Sequence, residues 1–185
     1  MFGYTEAKLQ AALAMIVEAR QLANQQLTEY AEQYQATENV YTAWDASNKV
    51  YVNSLRIARI AFRKNIQAQT ALMLNGRRNA SLNGWLEQAT TFYANMLPNA
   101  VYMAAMSEFG FTPERLQEEH AMMQNVRELN QNQQKEKGEA QHATLARDAK
   151  VEELADWMHD FFAIARIALA DNPQWMEKLG VVVEA

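Results

Sequence analysis

Cysteine is absent from this 185-residue chain. Its absence removes disulfides, thiolate zinc sites and cysteine nucleophiles together. Proline occurs only three times and glycine six, so little interrupts the backbone. With Ala, Gln, Glu and Leu abundant and 10 methionines, the composition describes an all-α protein. No apolar run approaches the roughly 18 residues that a membrane span needs. The opening MFGYTEAKLQ has neither the basic stretch nor the apolar run of a secretory signal. A cytoplasmic protein without membrane contact is therefore expected. No nucleophile elbow, phosphate-cradling glycine loop or Ser-His-Asp spacing is present. Acidic residues are missing from the whole stretch between Asp45 and Glu87, which nonetheless holds Lys49, Arg56, Arg59, Arg63, Lys64, Arg77 and Arg78.

What is present is a repeat. Shifted by 107 positions, residues 2–72 align with 109–179 without a gap, and 22 of the 71 positions are identical. Phe2-Gly3-Tyr4-Thr5 returns as Phe109-Gly110-Phe111-Thr112, and Ile57-Ala58-Arg59-Ile60-Ala61 as Ile164-Ala165-Arg166-Ile167-Ala168. A repeat of this length implies two copies of one module around a pseudo-twofold axis. The spacing predicts a single domain over 1–185, with half-module one at 2–76, a helical crossover at 77–108 and half-module two at 109–185. The copies differ in charge: residues 1–107 carry nine Lys/Arg against seven Asp/Glu, and residues 108–185 carry eight against fifteen.

Periodicity places the helices. Leu9, Leu13, Ile16, Ala23, Leu27, Tyr30 and Tyr34 recur every three or four residues, which predicts helix A over 5–36. Tyr41, Trp44, Tyr51, Leu55, Ala58 and Phe62 predict helix B over 40–64. Thr37-Glu38-Asn39 is a modest turn signal between them. A hairpin there would bury both stripes, so turns are expected at 36–40 and, in the second copy, at 143–147. Short helices are expected at 66–74 and after Asp171-Asn172-Pro173. The crossover reads as helices at 81–97 and 98–108, and Thr112-Pro113-Glu114 marks the start of helix A′. Two hairpins would make an elongated four-helix bundle. The segment 130–150 holds almost nothing large and apolar, which predicts a solvated, frayed or protruding tip.

Four constellations are candidates for function. Arg56, Arg59 and Arg63 fall on one helix face, with Arg77 and Arg78 beyond the next short helix. This patch would suit an anionic ligand, an acidic partner or nucleic acid, although the acidic balance of the chain speaks against nucleic acid. Arg20 with Arg127, Arg59 with Arg166, Glu29 with Glu136 and Glu32 with Glu139 are kept in both copies, as register-fixing pairs would be. Glu139-x-x-His142 and Asp156-x-x-His159 have the spacing used by metal-binding bundles. Their levels along a hairpin would differ by about 10 Å, so no metal and no cofactor is expected. The ladder Tyr30, Tyr34, Tyr41, Trp44, Tyr51 reads as core.

The segment Ala165-Arg166-Ile167-Ala168-Leu169, followed by Pro173-Gln174, Glu177 and Leu179-Gly180, resembles the ending of a group of uncharacterised bacterial helical-bundle proteins. The resemblance implies a bacterial bundle and brings no activity. The reading that follows is a non-enzymatic structural or protein-interaction protein, binding itself or another protein. Anion binding through the basic face is the alternative, and a metal- or cofactor-binding bundle is a further one.

Overall fold

The computed structural model describes residues 3–181. All the regular structure among them is helical: α1 (Glu6–Ala61), α2 (Ile66–Ala71), α3 (Leu82–Met96), α4 (Ala100–Ser107), α5 (Pro113–Ala168) and a 3₁₀ helix, Pro173–Leu179. No described helix is long and apolar enough to cross a membrane.

The expected hairpins are not formed. Residues 36–40 lie inside α1 and residues 143–147 inside α5, each a single helix of 56 residues. The supposed turn residues are absorbed by the helix. The Thr37 hydroxyl donates to the Gln33 carbonyl at 2.8 Å, and that of Thr144 to the Ala140 carbonyl at 2.9 Å, the back-bonding that threonine uses in mid-helix. The Gln35 amide donates to Asn39 Oδ1 at 3.0 Å, one turn on. With no glycine or proline at 36–40, nothing forces a break. The two-hairpin bundle therefore gives way to two long helices. The polar segment 130–150 is helical throughout, not frayed.

Helix bounds repeat with the same interval as the sequence, since α5 begins and ends 107 residues after α1. The entries match too. Thr5 Oγ1 accepts from the Lys8 amide and Thr112 Oγ1 from the Arg115 amide, both at 3.4 Å. Gly3 and Gly110 precede them with φ of 81° and 78°. The Glu114 carboxyl is held below its ordinary value by its own backbone N–H and by the Thr112 hydroxyl, as suits the positive end of a helix.

The chain forms two compact units, and their boundaries are not those of the half-modules. Unit 2, Glu32–Glu136, joins the second half of α1 to the first half of α5 and adds α2, α3 and α4. Ser47 and Ser54 of α1 reach α5 at Met122 and Glu119. The α3 helix, capped by Ser81, seats on both. Trp85 packs on Trp44 and Tyr51, Phe92 on Tyr51, and Tyr93 on His120. The main core cluster, 20 buried side chains from Tyr51 to Val126, lies wholly in this unit.

Unit 1, Met1–Ala31 with Lys137–Ala185, pairs the first half of α1 with the second half of α5, again antiparallel. Lys150 Nζ meets Glu18 at 3.0 Å, and Tyr4 packs edge-on against Trp157 and Phe161. Its buried residues are mostly small: Ala12, Ala19, Ala140, Ala143 and Ala165, with Gln26 and Met176.

One polar contact occurs in both units. In unit 1, Gln26 Nε2 donates to Thr144 Oγ1 at 3.2 Å; in unit 2, Gln133 Nε2 donates to Thr37 Oγ1 at 3.1 Å. Gln133 stands 107 residues after Gln26, and Thr144 stands 107 after Thr37. Helix A thus pairs with B′, and B with A′.

Candidate functional site

Two surfaces stand out, one polar in unit 2 and one apolar in unit 1. The polar one is built by the turn that follows α2. Asn65 caps α2 through the Ala68 amide at 2.9 Å. The helix ends at Leu72, and Met73 takes a left-handed φ of 51° that turns the chain back. Arg59 fixes the result. Its Nε donates to the Leu74 carbonyl at 2.8 Å and its Nη2 to the Gly76 carbonyl at 3.0 Å. Arg78 donates to Asn48 Oδ1 at 3.2 Å, the atom that also accepts the Trp85 indole N–H at 3.0 Å.

The basic residues singled out in the sequence are divided by this turn. Arg59 and Arg63 line a cleft of about 330 Å³, together with Gln69 and Asn75. Arg77 and Arg78 line a larger one of about 630 Å³, which also takes in Gln69, Asn75, Glu87 and Gln88. Arg56 is exposed and lines neither. Arg59 serves the backbone, and a carboxylate shares the larger cleft, so the patch is less bare than its composition promises.

The buried polar centre of unit 2 is Glu119, 3% exposed. Its carboxylate accepts from the hydroxyls of Ser54 and Tyr93 and from Arg115 Nε, the last at 3.0 Å. Arg115 in turn stacks on Phe111, 3.8 Å from the ring centre. The three donors come from α1, α3 and α5, so the group ties the helices together. Burial and the Glu119 charge push the Tyr93 hydroxyl far above the usual phenol value, and burial pushes Tyr51 up to about 12. Beside Tyr93, burial and the Arg127 charge hold His120 below its ordinary value. The Tyr51 hydroxyl and the Trp44 indole N–H are buried without a protein hydrogen-bond partner.

Other sequence candidates fall elsewhere. Glu139, His142, Asp156 and His159 are all exposed, and His159 Nδ1 lies 3.5 Å from its neighbour Asp160. The aromatic ladder is core only at its far end. Tyr51 is fully buried and Trp44 half-buried, while Tyr30, Tyr34 and Tyr41 are exposed. Of the repeated arginines, Arg127 donates to Thr90 Oγ1 of α3 at 3.0 Å and Arg20 is exposed. The register contacts made in both units are instead those of Gln26 and Gln133, which sequence reasoning passed over. Their signal was available, because both they and their threonine partners are identities of the repeat.

The apolar surface belongs to unit 1. Leu9, Leu13 and Val17 follow one another by one helical turn, 41%, 54% and 54% exposed. On α5 of the same unit Val151 is 49% exposed, and Met158, Phe161 and Phe162 are only partly covered. Large apolar side chains left open in this way are a mark of binding surfaces. In comparisons with family models, with curated proteins and with solved structures, nothing matches this chain.

Proposed function

We propose that this chain is a non-catalytic protein-interaction module, built from two copies of one helical unit and working by presenting helix faces. The observation that carries the proposal is the open row Leu9, Leu13, Val17, in a unit whose own interior is filled largely by alanine. Burying a leucine or valine side chain fully is worth about 1.5–3 kcal/mol, and with Leu9, Leu13 and Val17 41–54% exposed about half of that gain is still available to a partner. The one buried carboxylate among the described residues, Glu119, is occupied by structural donors, which favours a structural reading over a catalytic one. Cytoplasmic placement and kinship with the bacterial helical proteins resembled by 165–180 belong to the same proposal.

The test is crosslinking in the native host, followed by purification and native mass spectrometry. A defined second polypeptide, or a defined number of copies of this chain, is the expected result. A bare chain of 21.1 kDa after efficient crosslinking would remove the interaction reading.

A second reading, capture of an anionic ligand, is favoured by the adjoining clefts around Arg63, Arg77 and Arg78. It requires retention on heparin that weakens steeply with salt. Elution at about the salt expected of any acidic protein counts against it.

A further inference from the structure

We infer that the open face of unit 1 is the seat of one amphipathic helix from a different protein, apolar along one side and basic at its edge. This deepens the interaction reading and rests on it. Unit 2 contains the precedent, because there the corresponding seat is filled by α3. That helix rests on Trp44, Asn48 and Tyr51 of α1 and on Glu119 and His120 of α5. Leu55, Leu116 and Met123 are fully buried in the same cluster.

The positions 107 residues away stand at the corresponding places of unit 1, where the Gln26–Thr144 contact repeats that of Gln133 with Thr37. On α5, Trp44, Asn48, Tyr51 and Leu55 become Val151, Ala155, Met158 and Phe162. On α1, Leu116, His120 and Met123 become Leu9, Leu13 and Ile16. Every one is apolar, including the two that replace Asn48 and His120. Yet Leu9, Leu13 and Val151 stay 41–54% exposed, and Ile16, Met158 and Phe162 are only partly covered. The groove keeps the chemistry of a helix seat and has become more apolar than the seat that α3 occupies.

Two further features define the occupant. Unit 1 carries seven Lys/Arg against twelve Asp/Glu in its sequence, and unit 2 ten against ten. All the net charge of the chain thus falls in unit 1. Exposed Glu152 and Asp156 flank Val151 and Ala155 along α5, so basic residues on the occupant's edge are matched. The polar acceptors of α3 are gone: Ala155 stands where Asn48 takes the Trp85 indole, and Ala12 where Glu119 takes the Tyr93 hydroxyl. The occupant therefore carries phenylalanine or aliphatic residues at those two points, since a buried N–H or O–H there would lack a partner. Helix-in-groove recognition reads such anchors at i, i+3, i+4 and i+7.

The test uses the full chain and a labelled synthetic peptide. The peptide has the 15-residue α3 sequence, with leucine and phenylalanine in place of its tryptophan and tyrosine and lysine at the outward positions. Fluorescence anisotropy should show saturable one-to-one binding, weakened several-fold between about 50 and 300 mM salt. Leu13→Glu should weaken it at least tenfold, and so should Leu9→Glu; both side chains are exposed, and circular dichroism should show both variants folded. Val101→Glu, at an exposed site in unit 2, should change nothing. A peptide with glutamate in place of the lysines should bind at least tenfold more weakly. Absence of saturable binding to the folded chain, or binding that Leu13→Glu and Leu9→Glu leave intact, overturns the inference. So does a concentration-dependent dimer that Leu13→Glu dissolves, which would give the seat to a second copy. A crosslinked complex that survives Leu13→Glu would keep the interaction reading while removing this one.

Discussion

Met73 is the one non-glycine residue with positive φ among the described residues, at 51°, and the repeat partner of that position is Gly180, at 78°. The second copy has the residue that the geometry favours; the first holds a side chain in a conformation costing about 1–2 kcal/mol. Met73→Gly should therefore raise stability by about 0.5–1 kcal/mol once the added freedom of the unfolded chain is subtracted. A thermal melt decides it, and a lowered midpoint would mean that the methionine's contacts outweigh its strain. Tyr51 offers the opposite case, a hydroxyl buried with no protein partner. Tyr51→Phe should stabilise by up to about 1 kcal/mol. It should also blunt alkaline unfolding. The folded phenol ionises near 12 and the unfolded one near 10, so the folded state holds the proton longer. Its contribution is complete below about pH 10 and is lost as the pH rises towards 12. Urea titrations of both forms from pH 9 to 12 measure this, and parallel curves would exclude it. The burial of Tyr51 was legible in the aromatic ladder, but its unpartnered hydroxyl was not. Met73 carries no turn signal, and Glu119 is matched in the other copy by Ala12, so the repeat pointed away from it.

At the scale of the helix, much was legible. Trp85, Leu86, Ala89, Phe92, Tyr93 and Met96 share one face, and all are buried. Thr112-Pro113 marks the start of α5 to the residue. The error lay in the pairing. A periodic stripe records that a face is covered and says nothing about which element covers it. Residues 5–36 and 40–64 looked like mutual partners because they are neighbours in sequence, whereas the first half of α1 packs on the second half of α5 and the second half of α1 on the first half of α5. The basic face was legible as composition but not as geometry, since nothing in the spacing shows Arg59 folding back onto the carbonyls of Leu74 and Gly76. Continuity of α1 through 36–40 has a direct check. Asn39→Pro should cost about 3 kcal/mol or more, because it removes a mid-helix hydrogen bond and clashes with the preceding turn. A turn would accept proline, so an unchanged denaturation midpoint would restore the hairpin.

At the scale of the molecule, each compact unit takes one helix half from each copy, so neither copy is by itself a compact unit. Residues 32–136 carry the whole main core cluster and should fold alone, with a single cooperative urea transition. Residues 2–76, a complete copy by sequence, should not, because the α3 rings packed on Tyr51, the α4 ring of Tyr102 packed on Phe62 and the α5 members of the core cluster are missing. A cooperative melt from 2–76 would mean that a copy can close on itself after all. Crossed pairing also sets an order of events on the ribosome. Everything that unit 2 needs has been made once Glu136 is joined, whereas the first half of α1 waits for residues up to Ala168. At about 5–20 residues per second, Leu9, Leu13 and Val17 spend some seconds outside the exit tunnel before the helix that pairs with theirs exists. The same open row that invites a partner in the finished protein is, during synthesis, the segment most in need of a chaperone.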